Sequence, residues 1–354
     1  MAKDGEADGS ALRLALALVG LTARPEPMAD TGLAHSHFRL PGTGLIARIP
    51  KQSQMRLGAA ENLAYQAACY RRAAPSGHAP RLQHLLAPSA GLPRGGLVVS
   101  EIIGRPARLP DDLDAIVDAL AAIHRLALPA PADRAPLLAP ADPLHDLLAE
   151  IAAQATHLDG AGVAPVTRAI IAEGLAGLRR LAAGKARPAR RLISFDAHPG
   201  NFLIDAQGRA ILVDLEKCRY SAPQLDLAHA TLYTSTTWDV ASHAVLDAGQ
   251  VEAAHRRWLA GIGGDDDARS RAAAWLVPMR RAMWLWSLTW CAKWRVLSAG
   301  AARNDGRGED WSAAGSDAAL VAHVRDRVDH YLKPSTARRV DDGLRALAGR
   351  LPMP

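Results

Sequence analysis

Residues 194–216 read SFDAHPGNFLIDAQGRAILVDLE. Two short apolar runs, RLISF (191–195) and AILVDL (210–215), enclose a Pro199-Gly200 turn and an Ala206-Gln207-Gly208 turn, so the segment predicts a β-hairpin. Asp196 and Asn201 stand on either side of the first turn, and Asp214 ends the second run, followed by Leu215 and Glu216. The hairpin interrupts a half of the chain whose pattern is otherwise helical. Irregular insertions in a rigid scaffold are where chemistry concentrates.

Phosphoryl transfer asks for a carboxylate that orients the attacking hydroxyl, and for oxygen ligands that hold the magnesium ions bridging the nucleotide phosphates. This one hairpin offers both, and a spaced Asp, Asn and Asp set is far more specific than a single motif match. A plain hairpin with surface carboxylates is the competing reading. On these residues the chain resembles the aminoglycoside phosphotransferase and choline kinase family, the small-molecule branch of the protein-kinase-like fold. Residues 196–201 (DAHPGN) and 214–216 (DLE) match that family's catalytic loop and metal motif in type, spacing and order. The resemblance implies Asp196 as catalytic carboxylate, Asn201 and Asp214 as magnesium ligands, Glu216 as a further ligand or water-holder, and ATP with Mg2+ as cofactors. Ser194 stands where the family usually has a His that braces the loop. Asp226, in QLDLAHA, matches a downstream Asp with the same bracing role, and His198 is expected to hydrogen-bond within its turn.

The first hundred residues read as a small sheet lobe. Runs SHFRL (36–40), GLIARIP (44–50) and GLVVSEII (96–103), separated by Gly/Pro turns, predict strands, and Leu63, Ala67 and Tyr70 give residues 59–73 helical spacing. Residues 31–40 (TGLAHSHFRL) resemble the family's phosphate loop, with Gly32 letting the backbone approach the phosphates and Ser36 donating to one. Thr31-Gly32 equally makes an ordinary turn. Arg48 occupies the place of the fold's phosphate-pairing Lys, where a guanidinium clamps phosphate, and Glu61 is the helix carboxylate expected to pair with it. The run VVSEIIGRP (98–106) resembles the hinge between lobes, with backbone groups around Glu101 to Ile103 reading the adenine edge.

Beyond Pro110 the chain is mainly helical, beginning with Asp111 and Asp112 as caps for a repeat of Leu113, Ile116, Val117, Leu120 and Ile123. The expected fold class is α+β: a two-lobed protein-kinase-like fold with a small antiparallel-sheet N-lobe over 1–104 and a larger, mainly helical C-lobe over 105–354. Five of the eight Trp residues crowd positions 275–294, and Trp286, Trp290 and Trp294 recur every four residues, as a core-facing stripe would. The string WLWSL (284–288) resembles the Trp-containing helix that helps enclose the ammonium group in choline and ethanolamine kinases, and Trp rings attract alkylated amines. Trp286 and Trp290 are therefore candidate acceptor-pocket residues. The expected partner is a small-molecule hydroxyl acceptor, an amino alcohol of the choline or ethanolamine kind. An aminoglycoside or macrolide kinase and a nucleotide-binding pseudokinase regulator stay open beside it.

Composition narrows the rest. With 354 residues, 49% of them hydrophobic and 22% charged, the chain is globular and long enough for about two domains. Cys69, Cys218 and Cys291 are dispersed and form no CxxC, which gives no support to a disulfide framework or thiolate zinc site and suits a reducing, cytoplasmic setting. No apolar run approaches the ~20 residues that span a bilayer. The segment ALRLALALVGLTA (11–23) follows Asp4, Glu6 and Asp8, the wrong flank for an export signal, and predicts an amphipathic helix on a folded domain. A net charge of +6, from 42 basic against 36 acidic residues scattered along the chain, suits an anionic cofactor. No nucleic-acid partner is expected.

Overall fold

A computed structural model describes residues 3–29, 34–51, 53, 55–298 and 318–351; Gly32 lies outside the described residues. The chain begins with helix α1 (Lys3–Leu18) and enters the smaller lobe through β1 (Glu26–Pro27), β2 (His35–Leu40), β3 (Leu45–Pro50), helix α2 (Ala59–Ala73), β4 (Leu82–Leu86) and β5 (Gly96–Ser100). The strands form one antiparallel sheet in the order β1-β2-β3-β5-β4. Neither β1, two residues long, nor β4, with the sequence LQHLL, carries a period-two pattern, and sheet pairing alone makes strands of them.

Alternation on β3 sends Ala47 and Arg48 to opposite faces. On the outer face Ala47 packs with Leu40 and Val98 under Leu12 and Leu16 of α1, so the amphipathic N-terminal helix covers the sheet. The opposite face lies against α2, whose Tyr65, Ala67 and Tyr70 join Leu97 and Val99 in a second core.

The chain leaves the sheet through β6 (Gly104–Pro106) and helices α3 (Leu113–His124), α4 (Pro143–Ala155) and α5 (Pro165–Ala183). Asp112 takes the N-cap position of α3, yet its carboxylate accepts from Arg105 at 2.6 and 2.9 Å and from Arg108 N at 2.7 Å, fastening the connection and not the helix. The runs 191–195 and 210–215, expected to form one hairpin, do not pair with each other; the segment folds instead as β7 (Arg191–Ile193), β8 (Phe202–Asp205), β9 (Ala210–Leu212) and β10 (Arg219–Ser221). β7 pairs with β10, while β8 lies between β9 and β6. A Cβ on Gly104 would lie 2.5 Å from Ile204 O, so β6 can pair with β8 only as glycine.

Helices α6 (Gln224–Thr231), α7 (Tyr233–Thr236), α8 (Ala248–Gly261), α9 (Asp266–Ala274), α10 (Leu276–Leu297), α11 (Ala318–Tyr331) and α12 (Pro334–Ala348) complete the larger lobe. Pro278 falls in the first turn of α10, where its missing N–H costs nothing. Helix α10 runs through the lobe's core and buries Met283, Trp284, Leu285, Leu288 and Trp294. No described helix is long and apolar enough to cross a membrane, and all three cysteines are free and buried.

Candidate active site

The loop between β7 and β8 is held from below by one carboxylate. Asp226 of α6, fully buried, accepts from Ser194 N at 2.7 Å and Phe195 N at 2.8 Å. Two N–H groups converging on one side chain hold Phe195 at φ 59°, which L-residues normally avoid. Behind Asp226 stand His124 Nε2 at 3.3 Å and, bonded to His124 Nδ1 at 2.9 Å, Trp258 Nε1. Indole only donates, so Nδ1 is the acceptor and the His124 proton sits on Nε2, facing Asp226. This buried relay braces the loop although Ser194 stands at the usual His position; Ser194 itself accepts from Asp196 N through Oγ at 3.0 Å.

Asp196 follows the strained residue, and its Oδ2 accepts from Lys217 Nζ at 2.8 Å. Burial pushes this carboxyl up, but the facing charge of Lys217, ahead of His198 and His229, more than reverses that and holds it well below the usual carboxylate range. His229, with Nδ1 4.0 Å from Asp196 Oδ1, is lowered by burial to about 4 and is neutral at pH 7. Asn201 donates from Nδ2 to Asp196 O at 2.8 Å, so its amide oxygen is turned the other way as an acceptor. His198 differs from expectation: its ring Nδ1 is buried without a partner, and its carbonyl, accepting from Asn201 N, closes the turn. A Cβ at Gly200 would press on the Asp239 carboxylate and the His198 ring, so glycine lets both side chains lie close to the turn.

From the smaller lobe, Arg48 reaches across to the end of the hairpin. It donates to Val213 O at 2.5 Å and to Asp214 Oδ1 at 3.1 Å, and its guanidinium lies 5.6 Å from the Tyr70 ring centre. Burial works against the charge, but Tyr70, Asp214 and Glu216 outweigh it and hold the Arg48 pKa above its ordinary value. Asp214 is disfavoured by burial too, and Arg48 and His35 bring its pKa below normal. Glu216 is buried with Oε1 unpartnered and Oε2 3.7 Å from His35 Nδ1; burial first, then the Asp214 charge, push it up to about 8. His35 Nε2 lies 3.0 Å from Gln66 Oε1, and burial and Arg48 lower the ring to about 3.

Two sequence expectations need correction here. Glu61 does not meet Arg48: it is exposed, and its carboxylate accepts from Gly58 N at 3.2 Å to cap α2. Helix α2 serves the arginine through Tyr70, and through Gln66 behind His35, because the helix turns those positions inward and Glu61 outward. Ser36 lies inside β2, paired with Ile49, beyond the loop that joins β1 to β2. At the hinge, Glu101 N already donates to Gly44 O at 2.8 Å and its carboxylate accepts from Arg39 at 2.7 Å, while the Ile103 side chain is 73% exposed.

The two candidate acceptor residues approach the same loop from α10. Trp286 is half-buried, sets its ring 5.2 Å from that of Phe195 edge-to-face, and donates to Glu150 Oε1 at 2.8 Å. Glu150 shares its other oxygen with Arg219 at 3.1 Å, and the Arg219 guanidinium lies 3.7 Å over the Phe195 ring. Trp290, also half-buried, meets Trp238 at 5.9 Å, and Trp238 is followed by the Asp239 that faces Gly200. Both lines of contact end on the loop that carries Asp196. The other tryptophans of this stretch, Trp275, Trp284 and Trp294, are core residues.

A model of the phosphotransferase enzyme family matches residues 33–271, more than half of the chain. The chain belongs to this family. No curated protein matches the sequence significantly. Among solved structures, the chain is similar to a choline/ethanolamine kinase family protein from Mesorhizobium loti (20% identity, TM-score 0.59, 96% of this chain and 99% of that one). It is also similar to a macrolide 2'-phosphotransferase from Brachybacterium faecium (16%, 0.55, 92% and 98%) and to a choline kinase from Streptococcus pneumoniae (12%, 0.53, 91% and 98%). At these identities the likeness is one of fold, the two-lobed protein-kinase-like architecture.

For a phosphotransferase the donor set fits a nucleotide-bound magnesium ion. Among the described residues no group of three or more His, Cys, Asp or Glu side chains is gathered as a cation site. Magnesium carried by phosphates asks for less, one or two protein oxygens with waters and phosphate oxygens filling the rest. Asn201 Oδ1 and the second oxygen of Asp214, neither bonded to a described residue, meet that demand. The buried, unpartnered Glu216 Oε1 is a further oxygen close by. Lys217 and Glu150 were not evident as site residues from the sequence; only Lys217, next to the Asp-Leu-Glu run, had a local signal, a cation adjoining two carboxylates.

Proposed function

We propose that this phosphotransferase moves the γ-phosphate of ATP to the hydroxyl of a small cationic amino alcohol, with residues 1–104 as the nucleotide lobe and 105–354 as the acceptor lobe. The observation that carries the reading is the Asp196–Lys217 pair beside Asn201 and Asp214, an ionised carboxylate at the head of a set of oxygen ligands. In this reading Asp196 Oδ1 accepts the acceptor's hydroxyl proton, with Lys217 keeping the carboxylate ionised. Magnesium-ATP, when bound, supplies the transferable phosphoryl group and neutralises charge on it. Asn201 and Asp214 would hold the ion, and Arg48, pinned by Val213 O and Asp214, would steady the phosphates. The half-buried Trp286 and Trp290 rings support an alkylated ammonium as the acceptor's other end, each contact worth about 0.5–2 kcal/mol. Asp239, a carboxylate at the rim of the catalytic turn, favours a polycationic or aminosugar acceptor as the second reading.

The test is nucleoside diphosphate release over a panel of choline, ethanolamine, aminoglycosides and macrolides. Turnover with an amino alcohol, lowered about 10²–10⁴-fold by Asp196→Asn with nucleotide binding kept, is the expected result. Turnover confined to an antibiotic would move the acceptor reading to the second class. Magnesium-ATP binding without turnover on any member would make the protein a nucleotide-binding regulator.

A further inference from the structure

A cavity of about 230 Å³ lies in the larger lobe where the end of α6 meets the start of α8, the first half of α10 and α12. Much of its wall is apolar, with Leu232, Val251, Val340, Leu344 and Leu347. Into this wall the chain places Arg280, nine-tenths buried. Its guanidinium donates to Thr231 Oγ1 at 2.5 Å and to Thr231 O at 2.9 Å, and among the described residues no carboxylate lies within ion-pair distance. Thr231 is the last residue of α6, so Arg280 caps a helix end, but that capping leaves its charge without a counter-ion.

The other ionic residues of the cavity do not supply one. Asp247 is the single acid of the lining, and its carboxylate accepts from Gln250 N at 2.8 Å as the N-cap of α8. Arg350 is tied to Glu252 at 2.9 Å. Arg339 stands 4.8 Å over the Tyr233 ring and makes no ion pair with a described residue, adding a second positive group at the mouth. Burial lowers the Arg280 pKa to about 10, the sign of a cation that nothing nearby compensates. An isolated buried charge is among the most unfavourable arrangements a protein interior holds, and an anion relieves it.

We infer that this cavity is a binding site for a small monocarboxylate with a short hydrocarbon body, separate from the catalytic cleft. One buried guanidinium calls for one negative charge, since Arg339 is exposed and screened by solvent. The apolar wall asks for a hydrocarbon body, and the volume, below the ~300–1,000 Å³ of pockets for drug-sized ligands, keeps that body short.

The experiment measures thermal shift and titration calorimetry on the full chain with hexanoate at constant ionic strength, with hexanamide as the uncharged twin. A saturable rise in Tm with hexanoate and none with hexanamide is expected, and the rise should persist when magnesium-ATP is present. Gly343 is an exposed residue of the cavity lining, and a Cβ there would meet nothing within 4 Å, so Gly343→Leu sets a bulky side chain at the rim without a clash while improving the helix propensity of α12. That variant should melt no lower than wild type and bind hexanoate at least an order of magnitude more weakly. Arg280→Met, which removes the one buried charge of the cavity, should abolish the hexanoate response. An equal response to hexanamide, no response at millimolar hexanoate, or a response that neither substitution changes would overturn the site.

Discussion

Arg48 and Arg280 are both buried guanidiniums anchored to a backbone carbonyl, yet their surroundings are opposite. Arg48 is met by Asp214 and backed by Glu216, and its pKa is raised; Arg280 has no carboxylate within reach among the described residues, and its pKa falls to about 10. The difference teaches that burial does not set the role of a charge. The first arginine is half of an ion pair that joins the two lobes, so its removal strands an acid. The second is an uncompensated cation, so its removal strands no charge, only the buried Thr231 carbonyl that it caps.

Arg48→Met should therefore have the largest effect. Removing one partner of a buried pair costs about 3–5 kcal/mol, and because the Asp214 carboxylate keeps 26% of its exposure the lower end is expected, near ~3 kcal/mol by urea unfolding. An unchanged midpoint would mean that the pair contributes nothing to lobe closure. Asp214→Ala leaves Arg48 in a setting closer to that of Arg280 and removes the expected cation ligand. Wild type held at 100 times its dissociation constant of magnesium-ATP should gain ~2.7 kcal/mol, a gain the variant should lose. Retention of that gain would break the assignment of Asp214.

The acid limb of stability sharpens the contrast further. His255, buried with Nδ1 unpartnered, is lowered to about 3 by burial and then by the Arg280 charge. Its folded pKa lies below the unfolded value of ~6.5, so its contribution is complete above that pH and is lost progressively as pH falls toward 3. At pH 5 that loss amounts to roughly 2 kcal/mol, and His255→Leu should flatten the stability profile between pH 6.5 and 5 by that amount. A profile of unchanged slope would show that the histidine is reached by water in the native state. The smallest effect is expected for Arg280→Met. Two charged hydrogen bonds to Thr231 are lost and an uncompensated buried cation is relieved, so stability should stay within about 1 kcal/mol of wild type. A loss as large as that of Arg48→Met would mean that the two arginines are alike after all.

The catalytic loop was legible because its residues are contiguous. Asp196, Asn201, Asp214 and Glu216 flank one short hairpin, β8 with β9, whose turn and strand length leave few arrangements open. Arg48 could be placed because the pattern of strands around it is regular. Glu61 misled for the opposite reason: a Glu in the first turn of a helix suits both a buried ion pair and a cap, and only the rotation of α2 against the sheet separates them. The bracing of Phe195 and Asp196 was half visible, since Asp226 stood out, but the His124 and Trp258 behind it come from α3 and α8, more than a hundred residues apart.

The sequence by itself determined the class of fold, the candidate-site segment 194–216 and, through the motifs in it, the family, because those depend on residues close together in the chain. The tertiary structure alone decided which carboxylate faces which cation. It paired Asp196 with Lys217 and Arg48 with Asp214, gave Glu150 to Arg219 and Trp286, and left Arg280 without a carboxylate among the described residues. Ion pairing in a folded chain depends on distances of a few ångströms between segments far apart in sequence, and burial decides how much each such distance is worth.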